Sequence, residues 1–217
     1  VAELCRGGSG GVVVANPNAP TGRAIELHAL RAILESNRDC VVLVDEAYVD
    51  FGAQSAAGLV PEYDNLVVVH TLSKSRSLAG LRVGYALGSP NLISGLCCVR
   101  DSINSYTVDR LAQAGAVAAL EDGPYFEEMR ERVIRTRERT EERLRAMGFA
   151  VLESKANFLF VSHPKRTGKA LLDGLREQGI LVRWFDRPRI GNYLRISVGT
   201  DDEMDALRAA LKALTEG

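Results

Sequence analysis

Three valine-rich apolar runs constrain the fold of this 217-residue chain more than any other feature. They lie at 12–15, 41–44 and 66–69, and segments with helical or turn character separate them. Continuous apolar runs of this length are typical of strands that are covered on both faces. Because these strands alternate with helices, the sequence predicts an α/β fold with a mainly parallel sheet sandwiched by helices. A helix is predicted at 25–36 and a fourth strand at 83–87.

The pattern changes after a long charged helix that is predicted at 124–147. Short predicted strands then alternate with two predicted helices, in the order 149–152, 158–161, 168–178, 181–183, 193–198 and 201–214. Such a mixture predicts a small α+β domain. We therefore expect a large domain at 1–140 and a small C-terminal domain at 141–217.

The composition is that of a globular protein, with 46% hydrophobic residues and a net charge of −1. This charge balance provides no general attraction for nucleic acid or for an anionic membrane surface, and no apolar run approaches the length of a membrane span. The cysteines contain no C-x-x-C pair and favour a reduced, cytoplasmic protein. They are Cys5, Cys40, Cys97 and Cys98. The histidines lack metal-ligand spacing, so we interpret them as surface or packing residues. They are His28, His70 and His163.

Polar residues follow the apolar runs at the points where the strands are predicted to end. Asn16, Asp45 and Thr71 occupy these ends, and Lys74 and Arg82 come shortly after Thr71. Ligands of parallel α/β sheets bind beyond the carboxyl ends of the strands. An acid, a lysine and an arginine in this order predict a site for an anionic carbonyl cofactor with a nitrogen heterocycle. Pyridoxal 5′-phosphate (PLP) is the obvious candidate.

Each residue type has a chemical role in binding PLP. The amine of Lys74 can form a Schiff base with the cofactor aldehyde. The carboxylate of Asp45 would keep the pyridine nitrogen protonated, because a nearby opposite charge favours the charged form. Tyr48 can donate a hydrogen bond to the phenolic oxygen. The phosphate group needs hydrogen-bond donors and positive charge. These can come from Thr71, Ser73 and Arg82.

Four motifs together resemble the signature series of the fold-type I PLP-dependent aminotransferases. They are Asn16–Gly22, Asp45–Tyr48, Thr71–Lys74 and Ala79–Arg82. A single Ser-Lys pair or an Asp after a strand is common, whereas the combination in this order is specific. The resemblance covers essentially the whole chain. It implies that Lys74 carries the cofactor and shuttles the substrate α-proton, and that the other residues bind PLP as described above.

Further stretches are similar to the histidinol-phosphate aminotransferases within that superfamily. They are 101–113, 156–160, 179–183 and 193–200. The similarity implies transamination of the small molecule L-histidinol phosphate with 2-oxoglutarate, in histidine biosynthesis, by a homodimer. It also implies that Arg195 binds the carboxylate of the amino donor and that Arg183 helps to hold the phosphate ester of the substrate. Guanidinium groups match both anions.

The chain departs from the family pattern in two places. Where the superfamily usually has an Asn that donates to the phenolic oxygen of PLP, this chain has Ala19. We expect Asn16 to substitute for it, with Asn18 as the alternative. The family also has a longer N-terminal part, whereas this chain begins at Val1 and soon enters a strand. We therefore expect an incomplete large domain and a partial pocket, and we expect this chain alone to bind PLP poorly and to be inactive.

Two other interpretations remain open. One is a different enzyme of the same fold, such as an aromatic aminotransferase or an amino-acid-phosphate decarboxylase. The other is an aminotransferase-like regulatory domain that binds PLP without turnover.

Overall fold

The sheet predicted from the valine-rich runs is present in the computed structural model, which describes residues 10–216. Contacts divide the chain into two units. The first contains the chain through Pro17 together with Ala24–Glu128, and the second contains Asn18–Arg23 together with the chain from Met129 onward. The predicted domain boundary at 140 stays a prediction. Cys5 lies outside the described residues.

The first unit is built on a four-stranded sheet with the order β1-β2-β3-β4. The strands are β1 (Val12–Ala15), β2 (Val42–Asp45), β3 (Leu66–Thr71) and β4 (Gly84–Gly88). The first three strands are parallel, and β4 is antiparallel to β3. The carboxyl ends of β2 and β3 and the beginning of β4 therefore lie at the same edge. This confirms the mainly parallel α/β sheet.

One face of this sheet forms the core of the first unit. Its side chains pack against helix α1 (Leu27–Glu35) and a 3₁₀ helix at Ala56–Glu62. The buried sheet residues are Val12, Val14, Val42, Val44, Leu66 and Val68. Each aliphatic side chain of this size contributes about 1.5–3 kcal/mol when it is fully buried. The opposite face of the sheet is only partly buried. Val67 on that face is 3% exposed, whereas Val13 is 77% exposed.

The helices that follow the sheet begin at identifiable positions. They are α2 (Pro90–Ile103), α3 (Arg110–Glu121) and α4 (Gly123–Ala146). Helix α2 begins with proline, which is well tolerated in a first turn. Helix α3 is capped by Asp109, whose Oδ1 accepts a hydrogen bond from the backbone N–H of Ala112 at 2.8 Å. None of the helices within residues 10–216 combines the length and apolar character needed to cross a membrane.

The second unit contains an antiparallel sheet with the order β5-β6-β8-β7 and two helices. These elements are β5 (Ala150–Val151), β6 (Phe158–Ser162), α5 (Gly168–Glu177), β7 (Arg183–Trp184), β8 (Leu194–Ser197) and α6 (Asp201–Glu216). A capping box begins α6. The backbone N–H of Thr200 donates to Glu203 Oε2 at 2.7 Å, and the N–H of Glu203 donates to Thr200 Oγ1 at 3.3 Å. The α+β character predicted for this part of the chain is therefore confirmed.

Gly22 occupies a position in the second unit that only glycine fits. Its φ is 76°, and a Cβ added there would lie 2.3 Å from Ser154 Oγ. Its carbonyl also accepts a hydrogen bond from the N–H of Lys155 at 2.8 Å. The turn therefore depends on a close backbone approach.

We expect Gly22→Ala to lower the free energy of unfolding by about 1–3 kcal/mol, because the added methyl group combines backbone strain with a steric clash. Denaturant unfolding measures this change. Gly58→Ala is the control, since a methyl group at Gly58 would meet no described heavy atom within 4 Å. Equal stability of the two variants would contradict the packing described for this turn.

Candidate active site

Asp45 is the last residue of β2 and is fixed by backbone hydrogen bonds on both sides. Its carbonyl accepts from the N–H of Asn16 at 2.8 Å, and the next N–H, that of Glu46, donates to Val69 at 2.9 Å. The carboxylate is exposed, and its Oδ1 accepts from the N–H of Ala47 at 3.0 Å. Among residues 10–216 no cation forms an ion pair with Asp45. The carboxylate is therefore available to a positively charged ligand atom.

Lys74 lies in the loop that follows β3, beside Tyr48. The Lys74 Nζ atom is 5.5 Å from the centroid of the Tyr48 ring, and the lysine is exposed. The next residue anchors the loop, because the hydroxyl of Ser75 donates to the carboxylate of Asp50. Asp50 belongs to the 3₁₀ helix Val49–Phe51, which directly follows Tyr48. The same short contact therefore ties the lysine loop to the segment that carries the tyrosine.

Two hydroxyl groups lie at the start of this loop, and a guanidinium group lies near its end, before β4. Thr71 Oγ1 accepts a hydrogen bond from the N–H of Ser73 at 3.1 Å, and the two hydroxyl oxygens are 2.9 Å apart. Arg82 follows the 3₁₀ helix Ala79–Leu81 with a φ of 58°, and its Nη1 donates to the carbonyl of Ala79 at 2.9 Å. No carboxylate in the described part of the chain pairs with Arg82. The donors suit a phosphate group.

Asn16 is fully buried and joins the two ends of the turn that follows β1. Its Oδ1 accepts from the N–H of Ile25 at 2.7 Å, and its Nδ2 is 3.5 Å from the Ile25 carbonyl. The first contact is strong and the second is weak. Asn18, the alternative, donates through Nδ2 to Thr21 Oγ1 at 2.7 Å. Both amides have structural roles, and the predicted contact of Asn16 with a cofactor stays a prediction.

The two predicted substrate arginines lie in the second unit. Arg183 on β7 and Arg195 on β8 are directly opposite each other in the antiparallel pair. Both guanidinium groups lie near the ring of Phe185, with Cζ-to-centroid distances of 5.5 and 5.8 Å, and Arg195 is also 5.1 Å from the Phe158 ring. Like charges directly opposite each other are unfavourable. Neither arginine forms an ion pair with a described residue, so the pair presents positive charge to an anionic ligand.

Glu46 is a buried polar residue that the sequence motifs do not single out. Glu46 is 1% exposed and forms hydrogen bonds with Ser55, Ala56 and His70. The alternation of side chains along β2 could have indicated this burial. Asp45 at the strand end is exposed, so the next side chain, that of Glu46, points to the opposite, packed face. His70 therefore has a specific partner in addition to the packing role that the sequence predicts for it. In the part of the chain that the structure describes, no His, Cys, Asp and Glu side chains cluster as a metal site.

Comparisons with known proteins show which proteins this chain is similar to. The chain is 57% identical over 206 residues to a histidinol-phosphate aminotransferase from Marinomonas sp.. This alignment covers 94% of this chain and 58% of the relative. It is 53% identical over 204 residues to one from Clostridium beijerinckii, covering 94% of this chain and 57% of the relative. The chain thus spans less than three-fifths of the length of these curated relatives.

A solved structure has the same fold. The crystal structure of histidinol-phosphate aminotransferase from Sinorhizobium meliloti, in complex with pyridoxal-5′-phosphate, superimposes with a TM-score of 0.86 at 29% sequence identity. The match covers 96% of this chain and 58% of that one. Residues 2–211 also match the family model described as aminotransferase class I and II. The chain therefore belongs to the class I and II aminotransferase family.

Proposed function

We propose that this chain is part of a PLP-dependent aminotransferase that transfers an amino group between L-histidinol phosphate and 2-oxoglutarate in histidine biosynthesis. The observation that carries the proposal is the position of Lys74 beside Tyr48, with Asp45 at the same edge of the sheet. The histidinol-phosphate aminotransferases to which the chain is similar support the choice of substrate.

The residues at the sheet edge fit PLP. When bound, PLP supplies an aldehyde that accepts the amino group and a pyridinium ring that withdraws electrons. Asp45, which has no described cation partner, would hold the proton on the pyridine nitrogen. Tyr48 would donate to the phenolic oxygen. The phosphate would be held by Thr71, Ser73 and Arg82.

Lys74 would have two tasks. Its amine would form the covalent bond to the cofactor and would give way to the substrate amine. The freed Nζ would then take the α-proton of the substrate and deliver it to the cofactor carbon that is bonded to the transferred nitrogen. The hydrogen bond between Ser75 and Asp50 restrains the loop, so the amine would stay within reach of the reacting carbon.

Arg195 and Arg183 would bind the anionic groups of the two substrates. Arg195 would hold the carboxylate of glutamate, and Arg183 would help to hold the phosphate ester of histidinol phosphate. The aromatic rings near both guanidinium groups favour planar arginine over lysine at these positions.

The protein is further proposed to act as a cytoplasmic homodimer. Several large apolar side chains on α2 and α3 are exposed in the first unit, which is typical of surfaces that bind another protein. They are Leu96, Val99, Ile103, Leu111 and Val117.

A substrate panel with the protein made from its complete gene tests the proposed function. We expect turnover of histidinol phosphate with 2-oxoglutarate, and we expect Arg183→Lys to raise the KM for histidinol phosphate about 10- to 100-fold, because a bidentate charged contact is lost. Arg195→Lys should instead raise the KM for glutamate. Arg176→Lys, an exposed change in the last turn of α5, is the control.

Other outcomes of the panel would contradict the proposal. Turnover of aromatic amino acids alone would indicate an aromatic aminotransferase, and release of CO₂ from a phosphorylated amino acid would indicate a decarboxylase. PLP binding without turnover of any amino acid would indicate a regulatory domain.

A further inference from the structure

The buried carboxylate of Glu46 is hydrogen-bonded at both oxygens. Its Oε1 accepts from the N–H of Ala56 at 2.6 Å, and its Oε2 accepts from the hydroxyl of Ser55 at 2.5 Å. His70 Nε2 lies 2.8 Å from the same Oε2 atom. A buried carboxylate is costly unless its oxygens have partners, and removing one partner leaves a charge with incomplete hydrogen bonding. The fold of this edge therefore depends on all three contacts.

His70 extends the hydrogen bonds from Glu46 to Tyr85. The His70 Nδ1 atom is 3.0 Å from the Tyr85 hydroxyl, and the two rings are 5.1 Å apart. Burial, followed by the negative charge of Asp50, raises the pKa of Tyr85, so the hydroxyl keeps its proton. The Nε2–H of His70 donates to the Glu46 carboxylate, and Nδ1 and the Tyr85 hydroxyl share a second hydrogen bond. The result is a chain of hydrogen bonds that links Tyr85 through His70 to Glu46.

This chain of hydrogen bonds spans three strands at one edge of the sheet. Glu46 directly follows β2, His70 lies on β3, and Tyr85 is opposite His70 on β4. Glu46 and His70 are each adjacent in sequence to a residue of the candidate site, since Glu46 follows Asp45 and His70 precedes Thr71.

We propose that Glu46 and His70 are positioning residues that hold Asp45 and Thr71 where the cofactor needs them. This proposal rests on the proposed function. Successive side chains of a strand point to opposite faces, so fixing Glu46 on the packed face fixes the direction of Asp45 on the other. The same reasoning links His70 to Thr71. At metal sites, loss of groups that orient the ligating side chains in this way typically lowers affinity about 10- to 100-fold.

The test uses the protein from its complete gene and compares three variants. His70→Leu removes both ring nitrogens at similar volume, whereas His70→Gln keeps an N–H that can donate to Glu46. Asn65→Ala is the matched control, because the side chain of Asn65 donates to the carbonyl of Asn37 at 2.9 Å at the opposite end of β3. Loss of the hydrogen bonds of His70 or of Asn65 lowers stability, but only those of His70 lie next to the candidate site.

Two measurements distinguish positioning from general stability. We expect His70→Leu to weaken PLP binding about 10- to 100-fold and to speed hydrogen exchange at the amides of Glu46 and Leu72, which donate to Val69 and Val83. His70→Gln and Asn65→Ala should remain close to wild type in both measurements, even where their melting temperatures fall.

The outcomes separate this proposal from the proposed function. A wild-type protein that failed to bind PLP would contradict the proposed function. Hydrogen exchange needs no cofactor, so the exchange rates would still show whether His70 positions the strand ends. Where PLP does bind, an affinity for His70→Leu equal to that of Asn65→Ala would overturn the proposal. Exchange at Glu46 and Leu72 that is the same in both variants would overturn it as well.

Discussion

We expect replacement of Lys74 with alanine to lower amino-group transfer by about 10³-fold or more and to abolish covalent capture of the cofactor, because in the proposed function one amine would perform both the covalent step and the proton transfer. The expected loss is specific to function. Lys74 is exposed and forms no ion pair with a described residue, so its truncation leaves the packing of the first unit intact. A transamination assay measures the first effect, and a melting curve measures the stability.

Lys165→Ala is the control for this experiment, because Lys165 is also exposed but lies in the second unit, before α5. It should retain wild-type turnover. A Lys74→Ala protein that transfers amino groups at the wild-type rate would remove Lys74 from the mechanism.

Replacing Asp45 with asparagine has the second largest expected effect. The amide oxygen of asparagine can still accept from the N–H of Ala47, so the turn is kept while the negative charge is lost. A neighbouring opposite charge shifts a pKa by about 1–3 units, so losing it should reduce the protonated pyridine and lower turnover by about 10- to 1,000-fold. Steady-state rates and the visible absorbance of bound PLP, titrated with pH, measure this change.

The control for Asp45→Asn is Asp39→Asn, which removes an equal charge from an exposed loop of the same unit. We expect no change in its rate or absorbance. If Asp45→Asn and Asp39→Asn had the same turnover and the same pH titration, the assignment of Asp45 to the pyridine nitrogen would be wrong.

Much of the fold follows from local sequence patterns. The valine runs predict β1, β2 and β3, because short apolar runs bounded by turn residues are a local signature of strands. The capping box at Thr200 and Glu203 predicts the beginning of α6 for the same reason, since both partners lie within one turn. The order of Asp45, Lys74 and Arg82 likewise predicts a site at the strand ends.

Features that depend on register between distant segments were not accessible from the sequence. The strand predicted at 181–183 forms instead at Arg183–Trp184, where pairing with β8 decides which residues join the sheet. That pairing also places Arg183 opposite Arg195, which the spacing of the two residues does not reveal. The hydrogen bond between Glu46 and His70 has the same origin, because parallel pairing of β2 with β3 brings the two strand ends together.

Borohydride reduction identifies the residue that binds PLP, which we propose to be Lys74. The protein from the complete gene is incubated with PLP, reduced and digested, and the modified peptide is located by mass spectrometry. We expect a loss of visible absorbance on reduction and a single modified residue at Lys74. Modification of a different lysine, or no modification at all, would contradict it.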